Sequence, residues 1–328
     1  MKNISILVPR GHSSLTNIDG SHHLFSEVNS FHTRMGLKPV FQVNLIGLDR
    51  DMQPINGRYT VNPDKLIGEV EHTDLIIIPA VHGDQRTVIE DNAAFIPWIL
   101  RQRKQGAELA SMCVGAFFLA ATGLLKGKTC ATHWRMANEF RLMYPDVLLV
   151  DDKIMTEDDG IYTSGGAYSY LNLLIYLIEK YAGRDVAIMT SKAFMIDIDR
   201  ISQSPFIMFQ GQKEHEDEPI RKAQEYIEQH FNDRISVDQL ADMLALGRRN
   251  LQRRFKKATA NTVLEYIQRV KIEAAKKEFE TSRKNINEVM YDVGYTDVKA
   301  FRSIFKKITG LSPIEYRNKY NKDAVLVH

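Results

Sequence analysis

Two hydrophobic periods divide the chain. Through about residue 200, short apolar runs rich in β-branched residues recur at Ile4–Val8, Val40–Ile46, Leu75–Ile78, Leu109–Met112, Cys130–Thr132 and Val147–Val150. Stretches of helical period lie among them at His22–Met35, Ala93–Lys104, Ala116–Leu125, Arg135–Met143 and Tyr168–Tyr181. Apolar strands alternating with amphipathic helices predict βαβ units, hence a mostly parallel sheet with helices on both faces. Lys153–Thr163, with Asp158-Asp159-Gly160 at its middle, predicts a hairpin. In such sheets ligands collect beyond the carboxyl ends of the strands, so the residues after each run bear on function.

The period changes near Ser202. Gln203–Glu218 contains Ser204-Pro205, Gly211 and the charged run Lys213-Glu214-His215-Glu216-Asp217-Glu218, and reads as a linker whose flexible part is Gln210–Glu218. The expected organisation is an α/β domain over 1–202, a linker over 203–218 and an all-α domain over 219–328. In the last, Ser236-Val237-Asp238-Gln239 is a capping-box start. The helix it opens turns Leu240, Met243 and Leu244 inward and ends near Gly247, suited to a left-handed turn. The next helix, Arg248–Lys257, buries Leu251 and Phe255 and presents Arg248, Arg249, Asn250, Gln252, Arg253, Arg254, Lys256 and Lys257. Two helices joined by a tight turn, the second polar and basic outside, predict a helix-turn-helix.

The pattern then repeats. Asn285-Ile286-Asn287-Glu288 opens a helix ending at Gly294, and another from about Asp297 buries Phe301 and Phe305 beneath Lys299, Arg302, Lys306 and Lys307. Between the pairs, Thr262–Glu280 carries Val263, Leu264, Ile267, Val270, Ala274 and Ala275 on one stripe, a connector that would fix the spacing of the two outer helices. Arg reads guanine bidentately, Gln and Asn read adenine, and Lys suits phosphate. Helices so placed would enter successive major grooves, about 34 Å apart.

Charge sharpens this picture. Over 328 residues the formal net charge is only +2, yet from Pro219 onward there are 22 Lys and Arg against 14 Asp and Glu. A basic helical module on a mildly acidic partner suggests that the module meets a polyanion. A hydrophobic content of 44% excludes a disordered chain. No apolar run reaches the roughly 18 residues of a membrane span. The run Ile4–Val8 is too short for a secretory signal, and two cysteines, Cys113 and Cys130, make no disulfide framework. A cytoplasmic protein is expected. No metal-ligand spacing and no phosphate- or dinucleotide-binding glycine fingerprint is present, so neither metal nor cofactor is expected.

Candidate chemistry in the first domain centres on Glu108–Phe118, a strand that turns sharply into a helix at Cys113. Such a turn exposes a thiol at the sheet's carboxyl end, and a helix N-terminus favours the thiolate. His133, closing the run at Thr132, is placed to approach the sulfur. Backbone N–H groups around Val114 and the His82-Gly83-Asp84 loop are candidates for holding an oxyanion or carboxylate. A buried cysteine at a strand end also serves as a small hydrophobe, so the chemistry stays open between nucleophile, redox sensor and packing.

Two resemblances follow from these residues. Asp292-Val293-Gly294-Tyr295-Thr296-Asp297, Phe301–Lys307 and Gly310-Leu311-Ser312-Pro313-Ile314-Glu315-Tyr316-Arg317 resemble the DNA-binding domain of AraC/XylS-type transcription regulators. That resemblance implies Arg249, Gln252 and Arg253 as base-facing residues of the first recognition helix, and Val298, Lys299 and Arg302 in the second. Ser303 stands where the family usually has Arg. Ser111–Trp134, with Thr163-Ser164-Gly165-Gly166, resembles the ThiJ/PfpI (class I glutamine-amidotransferase-like) superfamily, flavodoxin-like in fold, and most of all its GlxA-type branch fused to AraC domains. It implies Cys113 as the elbow cysteine and places His23 where an early acid usually contacts the thiol. Val114 and the Pro79-Ala80-Val81-His82-Gly83 stretch also depart from the enzyme pattern.

The expected function is therefore a sequence-specific DNA-binding regulator controlled by a small-molecule effector held near Cys113, Val114, His133, His23, His82 and Gly83. Its DNA contacts are expected from Arg248, Arg249, Asn250, Gln252, Arg253, Lys257, Val298, Lys299, Arg302 and Lys306. The resemblance adds a homodimer and, as a candidate second partner, RNA polymerase. The alternative is a cysteine-dependent hydrolase, amidase or hydratase, or a redox sensor, using Cys113 with His133.

Overall fold

The computed structural model of the chain describes residues 1–50, 54–55, 59–213 and 215–321; Glu214 of the expected linker and positions 322–328 of the expected helical domain lie outside them. Two compact units result, Met1–Gln203 and Ser204–His328.

The first unit is built on a seven-stranded sheet. Its strands are β1 (Lys2–Leu7), β2 (Phe41–Gly47), β3 (Lys65–Leu66), β4 (Leu75–Ile78), β5 (Glu108–Ser111), β6 (Met155–Asp158) and β7 (Ile161–Ser164), in the order β6-β7-β5-β4-β1-β2-β3. Neighbours pair in parallel throughout, except for the β6–β7 hairpin. Its helices are α1 (Leu15–Arg34), α2 (Gln85–Asp91), α3 (Phe95–Lys104), α4 (Gly115–Ala121), α5 (Ala137–Met143), α6 (Ser169–Ala182) and α7 (Arg184–Ala193).

Strand alternation sorts the side chains into two cores. Ile4, Ile6, Leu75 and Ile77 pack with Phe25 and Val28 of α1 and Leu173, Leu174 and Leu177 of α6. Leu7, Ile76, Ile78 and Leu109 pack with Trp98 and Ile99 of α3, Phe117 of α4 and Phe140 of α5. Helices thus cover both faces, as the apolar runs predict.

Two departures matter. The runs Cys130–Thr132 and Val147–Val150 do not enter the main sheet; Thr129–Cys130 pairs in parallel with Leu148–Leu149 alone. The β6–β7 hairpin fills the edge they would have extended. Helix α1 begins seven residues before His22, capped by Ser14, whose side chain accepts from Asn17 N–H. Gly20 hid that first turn, because glycine is a poor helix former. Its reason is packing: an added Cβ would lie 2.6 Å from the Tyr170 hydroxyl.

The second unit is helical in its regular structure: α8 (Glu218–Gln229), α9 (Val237–Met243), α10 (Arg248–Thr259), α11 (Val263–Thr281), α12 (Ile286–Asp292), α13 (Val298–Thr309) and α14 (Pro313–Tyr320). Its apolar residues form two cores. Ile220, Ile227, Leu240, Leu251 and Phe255 gather around Val263 and Tyr266, and Val289, Met290, Phe301, Phe305 and Tyr316 around Ile272 and Phe279. Helix α11 serves both; at 1.5 Å per residue its 19 residues run about 28 Å.

Met243 and Leu264, expected inside, are 45% and 60% exposed. On α11 the buried face instead includes Lys271 and Lys276. Both ammonium groups reach main-chain carbonyls, which a hydrophobicity pattern cannot foresee. Part of the segment expected as linker is also packed. The Phe209 ring stands edge-on to Tyr266 at 5.1 Å, and Lys276 Nζ donates to Ile207 O at 2.6 Å. Lys213 pairs with Glu228 at 2.6 Å.

Candidate functional site

The two helix pairs of the second unit are built alike. Asn285 caps α12 and Ser236 caps α9, each accepting from the N–H three residues on. In α10, Leu251, Phe255 and Thr259 are buried; in α13 the same places hold Phe301, Phe305 and Thr309. Thr259 donates to Phe255 O and Thr309 to Phe305 O, both at 2.8 Å. The repeat leaves one face of each helix to solvent. On α10 it exposes Arg248, Arg249, Asn250, Gln252, Arg253, Lys256 and Lys257, and on α13 Lys299, Arg302, Ser303, Lys306 and Lys307.

Several of these groups are engaged within the unit. Arg248 pairs with Asp238 at 2.8 Å, Arg254 with Asp217 at 2.6 Å, and Arg253 donates to Asn250 Oδ1 at 3.0 Å. The Asp217 carboxyl is held below its ordinary range first by the Arg254 hydrogen bond. Val298, at the start of α13, is half-buried among the residues packed against the second core.

The turns differ between the pairs. Gly294 has φ +74, with Asn232 O only 2.1 Å from where a Cβ would stand. Gly247, expected to be left-handed, has φ −67 as the N-cap of α10, and Ala245 takes the left-handed conformation instead, at φ 52. Leu246 N–H bonding back to Ala241 O, and Ala245 N–H to Asp242 O, closes α9 two residues earlier than the glycine suggested.

In the first unit, Cys113 sits at the carboxyl end of β5 with φ 55, a left-handed conformation rare for a side-chain-bearing residue. The tight strand-to-helix turn requires it. Gly115 lets α4 start there, since a Cβ would lie 2.7 Å from both Ile78 O and Pro79 O. The thiol receives backbone N–H groups from Ala167 and Val114, while Thr132 Oγ1 donates to Cys113 O at 2.9 Å. Ala167 follows Gly165-Gly166 after β7 and is itself left-handed, at φ 47. Burial outweighs those donors and pushes the Cys113 thiol up from its ordinary value, contrary to the thiolate expected from a helix N-terminus.

His133 comes from another segment and packs against the Gly165–Ala167 turn: its ring carbons and Nε2 are within about 3 Å of where a Gly166 Cβ would stand, and its Nδ1 accepts from Arg135 N–H at 3.1 Å. Burial, then Arg135 and His82, hold the imidazole below its ordinary pKa. His82 is likewise lowered, by burial and by His12, whose ring centroid is 6.0 Å away. Gly83 is exposed, and Asp84 caps α2 by accepting from Thr87 N–H. The second N–H donor at the thiol therefore comes from Ala167, a residue that sequence reasoning missed.

His23 does not reach this place. It is exposed on α1, its ring 5.3 Å from Phe194. A helix starting at Leu15 buries Asn17, Ile18, Ser21, Leu24, Phe25 and Val28, and position 23 falls off that stripe. Toward the strand ends α1 contributes Asn17, whose Oδ1 accepts from Ala80 N–H at 3.1 Å. Gln203 was another omission. It is buried, donating from Nε2 to Thr132 O at 3.0 Å and Lys153 O at 3.1 Å and accepting on Oε1 from Gly166 N–H at 3.1 Å. Among the described residues no group of three or more His, Cys, Asp or Glu side chains is placed to hold a metal ion, and no helix is long and apolar enough to cross a membrane.

Two family profiles match separate parts of the chain. The DJ-1/PfpI family profile matches residues 23–180, and a helix-turn-helix domain profile matches residues 240–319. The HTH-type transcriptional regulator GbdR of Pseudomonas aeruginosa is 24% identical over 268 residues, covering 78% of this chain and 69% of that protein. CdhR of the same organism, also an HTH-type transcriptional regulator, is 22% identical, covering 79% and 76%. Among solved structures, a ThiJ/PfpI family protein from Pseudomonas syringae superposes with a TM-score of 0.51 at 17% identity, over 61% of this chain and 76% of that one, a likeness of fold. The chain thus resembles the DJ-1/PfpI family over residues 23–180 and the helix-turn-helix domain of DNA-binding transcription regulators over residues 240–319.

Proposed function

We propose that the second unit reads a specific DNA sequence with α10 and α13 in neighbouring major grooves, and that a small molecule held beside Cys113 in the first unit adjusts that reading. The observation that carries the first half is the repeated burial pattern, which gives both helices an exposed outer face, of Arg, Lys, Asn and Gln on α10 and of Lys and Arg on α13. Arg249, Gln252 and Arg253 take the base edges on α10, with Lys256 and Lys257 on phosphate. Lys299 and Arg302 serve α13, while Lys306 and Lys307 grip phosphate. Supporting the second half, Cys113 and Val114 from one segment and His133 from another both approach the Gly165–Ala167 turn near the carboxyl end of the sheet, where ligands of such folds collect. A thiol pushed up by burial favours a wall of the pocket over a nucleophile.

The test is affinity for the DNA upstream of the chain's own coding sequence against scrambled duplex, across salt concentrations. The proposal expects preference for the upstream duplex and a steep salt slope. Arg253→Ala should relax base preference, whereas Lys257→Ala should weaken all sequences alike and lower the salt slope by about 1. Equal affinity for both duplexes at every salt concentration would refute it.

A further inference from the structure

We propose that a cleft at the outer edge of β6 binds a small hydrophobic carboxylate, at a site that shares no lining residue with the one beside Cys113. It lies wholly within the first unit and holds whatever the second unit reads.

The cleft, about 600 Å³ in volume, is lined by the edge strand β6, by helix α6 and by residues 198–201. That volume falls within the roughly 300–1,000 Å³ of small-molecule sites. The three segments are tied to one another. Ile154 N–H donates to Ile201 O at 3.4 Å, Lys153 bridges Ser202 in antiparallel fashion, and Asn172 Nδ2 of α6 donates to Asp197 O at 2.6 Å. Ile154, Met155, Ile175, Ile198 and Ile201 give the cleft an apolar wall. Ile198 and Ile201 are 36% and 73% exposed there, and apolar side chains of that size gain from being covered.

The polar groups select an anion. Lys153, Arg184 and Arg200 line the cleft against Glu157 and Glu179. Both acids are engaged: Glu157 accepts from the Tyr176 hydroxyl, and Glu179 pairs with Arg184 at 2.6 Å. Lys153 is exposed and forms no ion pair among the described residues. The edge strand adds donors. β6 pairs with β7 from Met155↔Ser164 to Asp158↔Ile161, closed by the two-residue turn Asp159-Gly160. Gly165 N–H donates to Ile154 O at 2.7 Å, which marks 154, 156 and 158 as the positions bonded to β7. Bonded and unbonded positions alternate along an antiparallel pair, so the N–H groups of Met155 and Glu157 turn outward along the edge that the cleft borders. Neither has a main-chain partner among the described residues. An ammonium and an outward N–H beside an apolar wall suit a carboxylate on a hydrocarbon body, because charge-assisted hydrogen bonds are the stronger class. A hydrocarbon amine would be repelled by Lys153, and an alcohol would bring it no charge.

Octanoate is the probe, with octylamine and 1-octanol as its cationic and neutral counterparts. Each is titrated calorimetrically into the full chain at pH 7.5, and hydrogen exchange locates the site. Octanoate should saturate a single site below about 2 mM, within reach of so small a ligand. It should slow exchange over residues 154–158 and bind about tenfold or more tightly than octanol, with octylamine weaker still. Lys153→Met should weaken octanoate by about tenfold or more and leave octanol unchanged. Lys153→Arg should restore octanoate, and Ile201→Glu should abolish it; both positions are exposed, so the fold is kept. Failure of octanoate to saturate, equal binding of the three probes, or indifference to Lys153→Met overturns the proposal. So does protection at residues 164–169 in place of 154–158, which would assign the probe to the turn beside Cys113.

Discussion

Replacing Gly294 by alanine tests how the second helix pair is set. The residue is left-handed at φ +74, which costs a side-chain-bearing residue about 1–2 kcal/mol. The new Cβ would stand 2.1 Å from Asn232 O and 2.6 Å from Lys271 Nζ, so the main chain at 232 must move. Overpacking of that kind costs about 1–3 kcal/mol. Against this, alanine restricts the unfolded chain and returns about 0.4–1 kcal/mol. The net expectation is a loss of about 2–4 kcal/mol, toward the upper end because Lys271 donates to Gly294 O and Asp233 O and would lose its seat. Calorimetry on the full chain, with the second unit's transition identified by exchange in α13, should show its Tm lowered by about 8–16 °C. Gly247→Ala is the control: φ is −67 and nothing lies within 4 Å of an added Cβ. It should cost less than about 1 kcal/mol, a small N-cap effect. The reasoning is refuted if Gly294→Ala falls within about 0.5 kcal/mol of wild type, the ordinary range of surface substitutions, or if both substitutions cost the same.

Two further predictions concern the first unit. His133 is held below its ordinary pKa by burial, Arg135 and His82, so the unfolded chain takes up its proton first as pH falls from about 6.5. Stability from this group is complete above that pH and is lost as pH drops toward the lowered folded value. His133→Gln should therefore gain on wild type between pH 7 and 5 in urea midpoints, and parallel curves would contradict this. Burial also pushes the Cys113 thiol up, so iodoacetamide at pH 7.5 should modify it more slowly than a free thiol of pKa about 8.5. A rate equal to or above that of the free thiol would revive the nucleophile reading.

What the sequence revealed was whatever its periodicity and caps encode. Strands β1, β2, β4 and β5 were legible because runs such as Leu75–Ile78 are buried on both faces. Both helix pairs were legible because Ser236 and Asn285 cap them and aromatic or aliphatic residues recur every four positions on α10 and α13. What escaped were contacts between distant segments. Nothing near Gly20 indicates that Tyr170 will lie against it, so α1 was begun too late and His23 was assigned a face it does not occupy. Ala167 and Ala245 take left-handed conformations where a reader looks for glycine. Residues 203–209 were read as linker because Lys276 and Glu273, which hold Ile207 and Phe209, look like solvent-facing charges in the sequence. The Gln203-Ser204-Pro205-Phe206 stretch was the available signal, though its partners lie 37 to 115 residues away.

The central claim is that α10 and α13 read one duplex together. Hydroxyl-radical footprinting of the full chain on its upstream DNA tests this most directly. The account predicts two protected segments on one face of the helix, centred about 10 base pairs apart. Arg249→Ala should weaken protection of one segment, and Lys299→Ala together with Arg302→Ala should weaken the other. A single protected segment, or two that respond alike to every substitution, would contradict it.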